Sequence, residues 1–218
     1  MNNQLEADGI ELYFGERKIL SDIYLKCETN LITGLLGRNG HGKTSLMNII
    51  YGTLSAKSRS VRLNGLPLFE AYKRPDLINY LPQFNFVPPQ LNLSRIFKDF
   101  ELPMTDFEDF FPEFSGFAAQ ALGRFSGGQR RLIEVYLVIK SNSQFSLLDE
   151  PFSQLMPLHI EQIQILLAEA KKTKGFLITD HFYHSVMEVS NTLYVLKDGK
   201  THLTTCPEDL MRLGYTVT

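Results

Sequence analysis

The chain has 218 residues, enough for one α/β unit with a real core and a small appended lobe. Its 22 Lys and Arg against 24 Asp and Glu leave a net charge of -2, which excludes an electrostatic case for nucleic acid as the main partner. No apolar run approaches the ~20 residues of a membrane helix, Met1 to Asp8 lacks the regions of a signal peptide, and Cys27 and Cys206 are too few for a disulfide framework, which predicts a soluble, reduced, intracellular protein.

In chain order, the apolar run Leu31 to Leu36 reads as a buried strand, and Thr44 to Ile50 reads as a helix. Between them lies Gly37-Arg38-Asn39-Gly40-His41-Gly42-Lys43-Thr44, a complete match to G-x-x-x-x-G-K-[ST] with Ser45 following. Its glycines let successive backbone N–H groups point at one anion, and the helix N-terminus adds partial positive charge. Lys43 is placed to reach β- and γ-phosphates, and the Thr44 hydroxyl to ligate Mg²⁺. This loop predicts binding of a nucleoside triphosphate.

Ile78 to Leu81 is a predicted strand stopped by Pro82. From Phe84 to Phe117 the composition changes. Nine of the 16 phenylalanines fall there, and Asp99 to Glu113 holds six acidic residues without a Lys or Arg. That is no regular crossover unit, so we expect a small, mostly helical insertion, roughly 84–140, with some phenylalanines in its core and others forming an exposed aromatic surface. Next come Phe125-Ser126-Gly127-Gly128-Gln129-Arg130-Arg131 and the apolar helix Leu132 to Ile139. Phe145 to Leu148 reads as a strand ending in Asp149-Glu150, and Phe176 to Thr179 as one ending in Asp180-His181. Ile160, Ile163, Leu167 and Ala170, at helical spacing, cross over between them. Asp198-Gly199 joins Thr192 to Lys197 with Lys200 to Leu203 as a hairpin.

The order of these motifs (phosphate loop, strand-end Gln83, Ser-Gly-Gly-Gln, Asp149-Glu150, His181) resembles the nucleotide-binding subunit of an ABC transporter. The resemblance spans essentially the whole chain, from Phe14 before Gly15 to a terminal helix near Pro207-Glu208-Asp209-Leu210. It implies one ATP-binding domain over 1–218 of class α/β: a P-loop NTPase with a largely parallel central sheet, an N-terminal antiparallel β subdomain and the small helical insertion. It also implies ATP and Mg²⁺ as cofactors. Phe14 looks like the aromatic that stacks on adenine, and Gly37 to Ser45 like the phosphate cradle. Thr44, Gln83 and Asp149 look like the metal-side residues, and Lys43, Gln83, Glu150 and His181 like the hydrolytic ones, with Glu150 as general base. Ser126, Gly127, Gly128 and Gln129 correspond to the signature that closes over the ATP of a second, head-to-tail ABC subunit, identical or different. His41 lies within the phosphate cradle without a family role of its own. For it and for His159, His184 and His202, surface or loop positions are expected.

Transmembrane permease subunits are the further implied partner, docking on the segment after Gln83. The protein would then be cytoplasmic and peripheral on the inner membrane face. The alternative within the family is a soluble ABC ATPase that drives a cytosolic assembly or remodelling process. Three positions depart from the usual pattern: Phe125 for Leu, Ser146 inside the apolar strand, and Met156 where an Asp helps couple the two ATP sites. The last implies slower or less coupled hydrolysis.

Overall fold

The structure, a computed structural model, describes residues 2–215; Met1 and residues 216–218 of the expected 1–218 unit lie outside the described residues. Two sheets organise the chain. The first is built around the long strand β1 (Gln4–Phe14), which pairs antiparallel with β2 (Arg17–Leu20), β3 (Tyr24–Glu28) and β5 (Ser58–Leu63), the last also pairing with the short β6 (Leu66–Pro67). Along β1 the inward residues are Leu5 and Ala7, then Ile10 and Leu12. The phase of this alternation shifts where the β1–β5 register slips between Asp8 and Glu11, as a bulge requires.

The second sheet has six strands: β4 (Ile32–Leu36), β7 (Ile78–Leu81), β8 (Phe145–Asp149), β9 (Gly175–Thr179), β10 (Thr192–Lys197) and β11 (Lys200–Thr204). Its order is β11-β10-β4-β9-β8-β7, parallel throughout except for β11, which closes one edge as the expected hairpin. Asp198 and Gly199 both adopt positive φ (50° and 76°), as a two-residue hairpin turn demands. The strands β4, β8 and β9 are buried at every position because both faces are covered.

Helix α1 (Lys43–Tyr51) lies between the two sheets, its Leu46, Met47 and Ile50 in one core with Leu5, Ile10, Leu25, Leu35 and Leu177. The opposite face is covered by α4 (Gly127–Lys140), α5 (Pro157–Ala170) and α6 (Tyr183–Val189) through Leu132, Val135, Ile163, Leu167 and Val186. Ser146 is accommodated within β8 because its hydroxyl donates to the Val138 carbonyl at 3.2 Å. The terminal helix α7 spans Pro207–Leu213.

The insertion contains α2 (Leu93–Asp99), capped by the Asn92 side chain, and α3 (Met104–Phe110), followed by two 3₁₀ turns before α4. Phe97, Phe107, Phe111 and Phe114 are buried, and the Phe107 ring lies 4.9 Å from those of Phe97, Phe114 and Tyr136. Phe86, Phe100 and Phe110 are half-buried, so exposure at 72% and 43% is confined to Phe84 and Phe117. The expected aromatic surface is therefore mainly core, drawn inward because a lobe this small needs large side chains to bury enough apolar area. The acidic stretch is also partly engaged within the chain: Asp99 pairs with Arg95, Glu108 accepts from the Gly116 N–H, and Glu113 meets His159 Nε2 at 2.9 Å. His159 is thus not on the surface. It is buried at the start of α5 and joins that helix to the insertion.

Candidate functional site

The loop after β4 turns into α1 through Gly40 and Gly42, both at positive φ (80° and 99°). Gly42 is the helix N-cap, and a Cβ there would lie 2.9 Å from Ile19 Cγ2, so conformation and space both select glycine. The first N–H groups of α1 lack helical partners and carry the positive end of its dipole. Lys43 is 8% exposed and bends back along its own loop, donating from Nζ to the carbonyls of Gly37 (2.6 Å) and Arg38 (3.3 Å). Burial pulls its proton affinity below the ordinary lysine value, while the carboxylates of Asp149, Glu150 and Asp180 act in the opposite direction.

Asp149 closes β8 and is buried. Burial pushes its carboxyl above the usual range, opposed by hydrogen bonds from the Thr44 hydroxyl and from Tyr80, whose OH donates to Oδ2 at 3.2 Å. Thr44 and Asp149 therefore present adjacent hard oxygen donors beside the phosphate loop, with Gln83 on the cleft wall. That donor set suits Mg²⁺. Among the described residues no three His, Cys, Asp or Glu converge as a metal cage.

Glu150 sits just past β8 in a left-handed conformation (φ 54°), its N–H donating to the Thr179 carbonyl at 2.7 Å. Its Oε2 accepts from Ser153 Oγ at 3.2 Å and lies 3.8 Å from His181 Nδ1. The same His181 nitrogen is 3.3 Å from Ser153 Oγ and 3.2 Å from Asp180 Oδ1. Asp180, itself buried, accepts the N–H groups of Phe152 (2.8 Å) and Phe182 (3.0 Å), which pins the loops after β8 and β9 together. Glu150 and His181 thus meet because two parallel strands end side by side.

These parts surround a cleft of about 510 Å³ lined by Phe14, Asn39, Gly40, Gly42, Lys43, Thr44, Ser45, Gln83 and Glu150, together with Arg17 and Ile19. Phe14 ends β1 with its ring 55% exposed at this cleft. Arg38 and His41, within the phosphate loop, line a neighbouring hollow of about 220 Å³ with Tyr215, and His41 Nδ1 lies 3.2 Å from the Leu196 carbonyl. Arg38 also borders a further hollow with Asn39 and His181. Ser126, Gly127, Gly128 and Gln129 are not cleft residues either. Ser126 caps α4 by accepting from the Gln129 N–H (3.2 Å) while Gln129 Oε1 accepts from the Ser126 N–H (3.0 Å), a reciprocal capping box. A Cβ on Gly128 would lie 2.6 Å from the Gln154 carbonyl, so glycine allows this helix end to abut the loop after Glu150. Met156, at the end of that loop, is largely exposed.

Sequence reasoning missed Arg17 and Ile19, whose place depends on the β1–β2 pairing, and Tyr80, whose only signal was its position near the end of a strand. It also missed Arg131 and Glu134, two buried charges on an otherwise apolar helix face. That combination is itself a signal.

The family described as ABC transporter matches residues 20–153. The lipopolysaccharide export system ATP-binding protein LptB of Haemophilus influenzae is 30% identical over 224 aligned positions, covering 95% of this chain and 92% of that protein. A probable branched-chain amino acid transport ATP-binding protein, LivF, of Archaeoglobus fulgidus is 29% identical, with 86% and 85% covered. In fold, the chain is similar to the solved ATP-binding subunit of an ABC transporter, with a TM-score of 0.81 at 20% identity, covering 96% of this chain and 93% of that one. A nucleotide-free ATP-binding cassette gives 0.79 at 22% identity, with 96% and 94% covered. With a matching family pattern over more than half its length, this chain belongs to the ABC transporter family, as an ATP-binding subunit of the ATPase type.

Proposed function

We propose that this chain binds Mg-ATP in the cleft, hydrolyses it, and so powers transport through separate transmembrane subunits. The observation that carries this reading is that Lys43, Thr44, Gln83 and Glu150 line one cleft, with Asp149 bonded to Thr44 and with Ser153 and His181 set against Glu150. Phe14 offers an exposed ring for stacking the base. The glycine-rich loop and the α1 N-terminus hold the phosphates, and the Lys43 ammonium exchanges its two carbonyl acceptors for phosphate oxygens. When bound through Thr44, Asp149 and Gln83, Mg²⁺ supplies charge neutralisation at the phosphates. Glu150 orients and deprotonates water, and His181, steadied by Asp180 and Ser153, lies beside that carboxylate to contact the γ-phosphate.

Ser126 and Gly128 stand outside their own chain's cleft, which supports a composite site: a second subunit, placed head-to-tail, brings its signature turn over this ATP, and this signature covers the other. Closure on ATP and release after hydrolysis then give two discrete states. The segment after Gln83, where Phe84 is exposed, is the side we assign to the permease, with the insertion 84–140 moving as the coupling lobe. Among the described residues no helix is long and apolar enough to cross a membrane. The relatives named for lipopolysaccharide export and amino acid transport favour transport over a cytosolic remodelling role.

Affinity purification of the tagged protein from detergent-solubilised membranes tests the reading. We expect integral membrane polypeptides to be retained by the wild type and lost on Phe84→Ser, with nucleotide binding unchanged. Recovery of the protein from the soluble fraction alone, free of membrane polypeptides, would reject the transport role.

A further inference from the structure

Two charged residues of α4 lie outside the cleft yet are bonded to both of its hydrolytic arms. Arg131 is 2% exposed. It donates from Nη1 to the carbonyl of Pro82 (2.7 Å), the residue before Gln83, and from Nη2 to the carbonyls of Asp149 (2.6 Å) and Glu150 (3.0 Å). About one turn further along, the buried Glu134 accepts the backbone N–H groups of Phe86 and Val87, each at 3.0 Å, through one carboxylate oxygen. The loop carrying Gln83 is therefore gripped on both flanks from one helix, by its carbonyl on one side and its amides on the other.

Packing alone does not call for this pair. Burying a guanidinium and a carboxylate is expensive, and apolar residues of similar size serve a core at least as well. The helix around them is apolar, with Leu132, Ile133, Val135 and Tyr136 all buried. What the charges add is direction. Glu150 has a left-handed backbone that a residue with a Cβ adopts unfavourably, and such a conformation persists only where the surroundings over-determine it. Here its N–H is tied to Thr179 and its carbonyl to Arg131, so both peptide planes flanking the carboxylate are held. Burial pulls the proton affinity of the Arg131 guanidinium below its ordinary value, and the charges of Glu134, Asp149, Asp180 and Glu150 act in the opposite direction.

We propose that Arg131, assisted by Glu134, is a positioning residue for ATP hydrolysis: it locks the Glu150 turn and the Gln83 loop to each other and to the helix whose N-cap is Ser126. Movement of the signature end is thereby passed to the general-base carboxylate and to the γ-phosphate sensor through a single rigid element. This inference rests on the hydrolytic reading of the cleft.

Arg131→Lys keeps the charge but, as a point donor on a flexible stem, cannot fork across three carbonyls. Steady-state turnover and ATP affinity would be measured for Arg131→Lys, Glu134→Gln and Glu134→Leu, well below each melting temperature, with and without Glu150→Gln. For Arg131→Lys we expect ATP affinity within about threefold of wild type and a kcat lowered about 10–100-fold, the penalty of a misplaced reacting group. In the Glu150→Gln background the same change should cost less than about twofold, because the group it aims is already gone. Glu134→Gln, which keeps an acceptor oxygen for the two amides, should retain most of the turnover that Glu134→Leu loses. A folded Arg131→Lys protein with wild-type kcat, or a loss that adds fully to that of Glu150→Gln, would overturn the assignment. Wild-type protein that binds ATP without turning it over would instead defeat the hydrolytic reading, and this inference with it.

Discussion

The nucleotide cleft and the phenylalanine-rich lobe sit on the same chain but draw on opposite physics. The cleft buries Lys43, Asp149 and Asp180 and holds Glu150 in an unfavourable backbone region. Each of these features raises the free energy of the empty protein. The lobe packs Phe97, Phe107, Phe111 and Phe114 around Tyr136, where ring-to-ring contact adds to simple burial. Instability is thus concentrated where ligand chemistry uses it, and cohesion where no ligand contact is required. The two can be perturbed separately.

The largest expected effect on stability is in the lobe. Phe107→Ala removes a fully buried ring and should destabilise by about 3–5 kcal/mol, while ATP affinity, measured below the lowered melting temperature, stays within a few-fold of wild type. If affinity falls in step with stability, the division between lobe and cleft is wrong. Lys43→Ala should do the reverse. The empty protein should melt at or above the wild-type temperature, but the gain of about 2.7 kcal/mol expected for wild type at 100 times Kd should vanish. A calorimetric scan with and without Mg-ATP reads both.

Asp149→Asn sharpens the contrast further. Burial raises the folded pKa of Asp149 above its ordinary 3.8, so below that value the carboxyl is neutral in both states and carries no ionisation penalty. As pH rises through the raised folded value the penalty becomes complete. The Asn variant should therefore be more stable than wild type without nucleotide at pH 8, and that advantage should fade as pH falls toward 3.8. A constant difference across the range would mean that the buried charge is not what distinguishes the cleft. The smallest effect is at the lobe surface: Phe117→Ser should change stability by no more than about 0.5 kcal/mol, separating this half-exposed ring from its buried neighbours.

What was legible in the sequence is what chemistry forces to be local. A phosphate loop needs its glycines, lysine and hydroxyl within one turn of chain, and strand-end Asp149-Glu150 and Asp180-His181 follow directly on apolar runs. The parallel sheet followed from the alternation of such runs with helical stripes. The remainder depends on contacts between distant positions. Arg131 meets Pro82 across 49 residues and His159 meets Glu113 across 46, so neither pairing leaves a local trace. Phenylalanine count revealed an unusual segment but not which rings face inward, because that is set by how α2 and α3 dock on α4. Arg38 and His41 show the limit of a motif, which specifies a backbone path but not the direction of its variable side chains.

The most direct test pairs wild type with Glu150→Gln in one experiment that follows melting with Mg-ATP and phosphate release. If Glu150 is the base of an ATP-hydrolysing cleft, ATP should stabilise both proteins alike, and the variant should release phosphate about 10²–10⁴-fold more slowly. Melting unmoved by Mg-ATP in either protein, or equal rates of phosphate release in the two, would refute that role for the cleft.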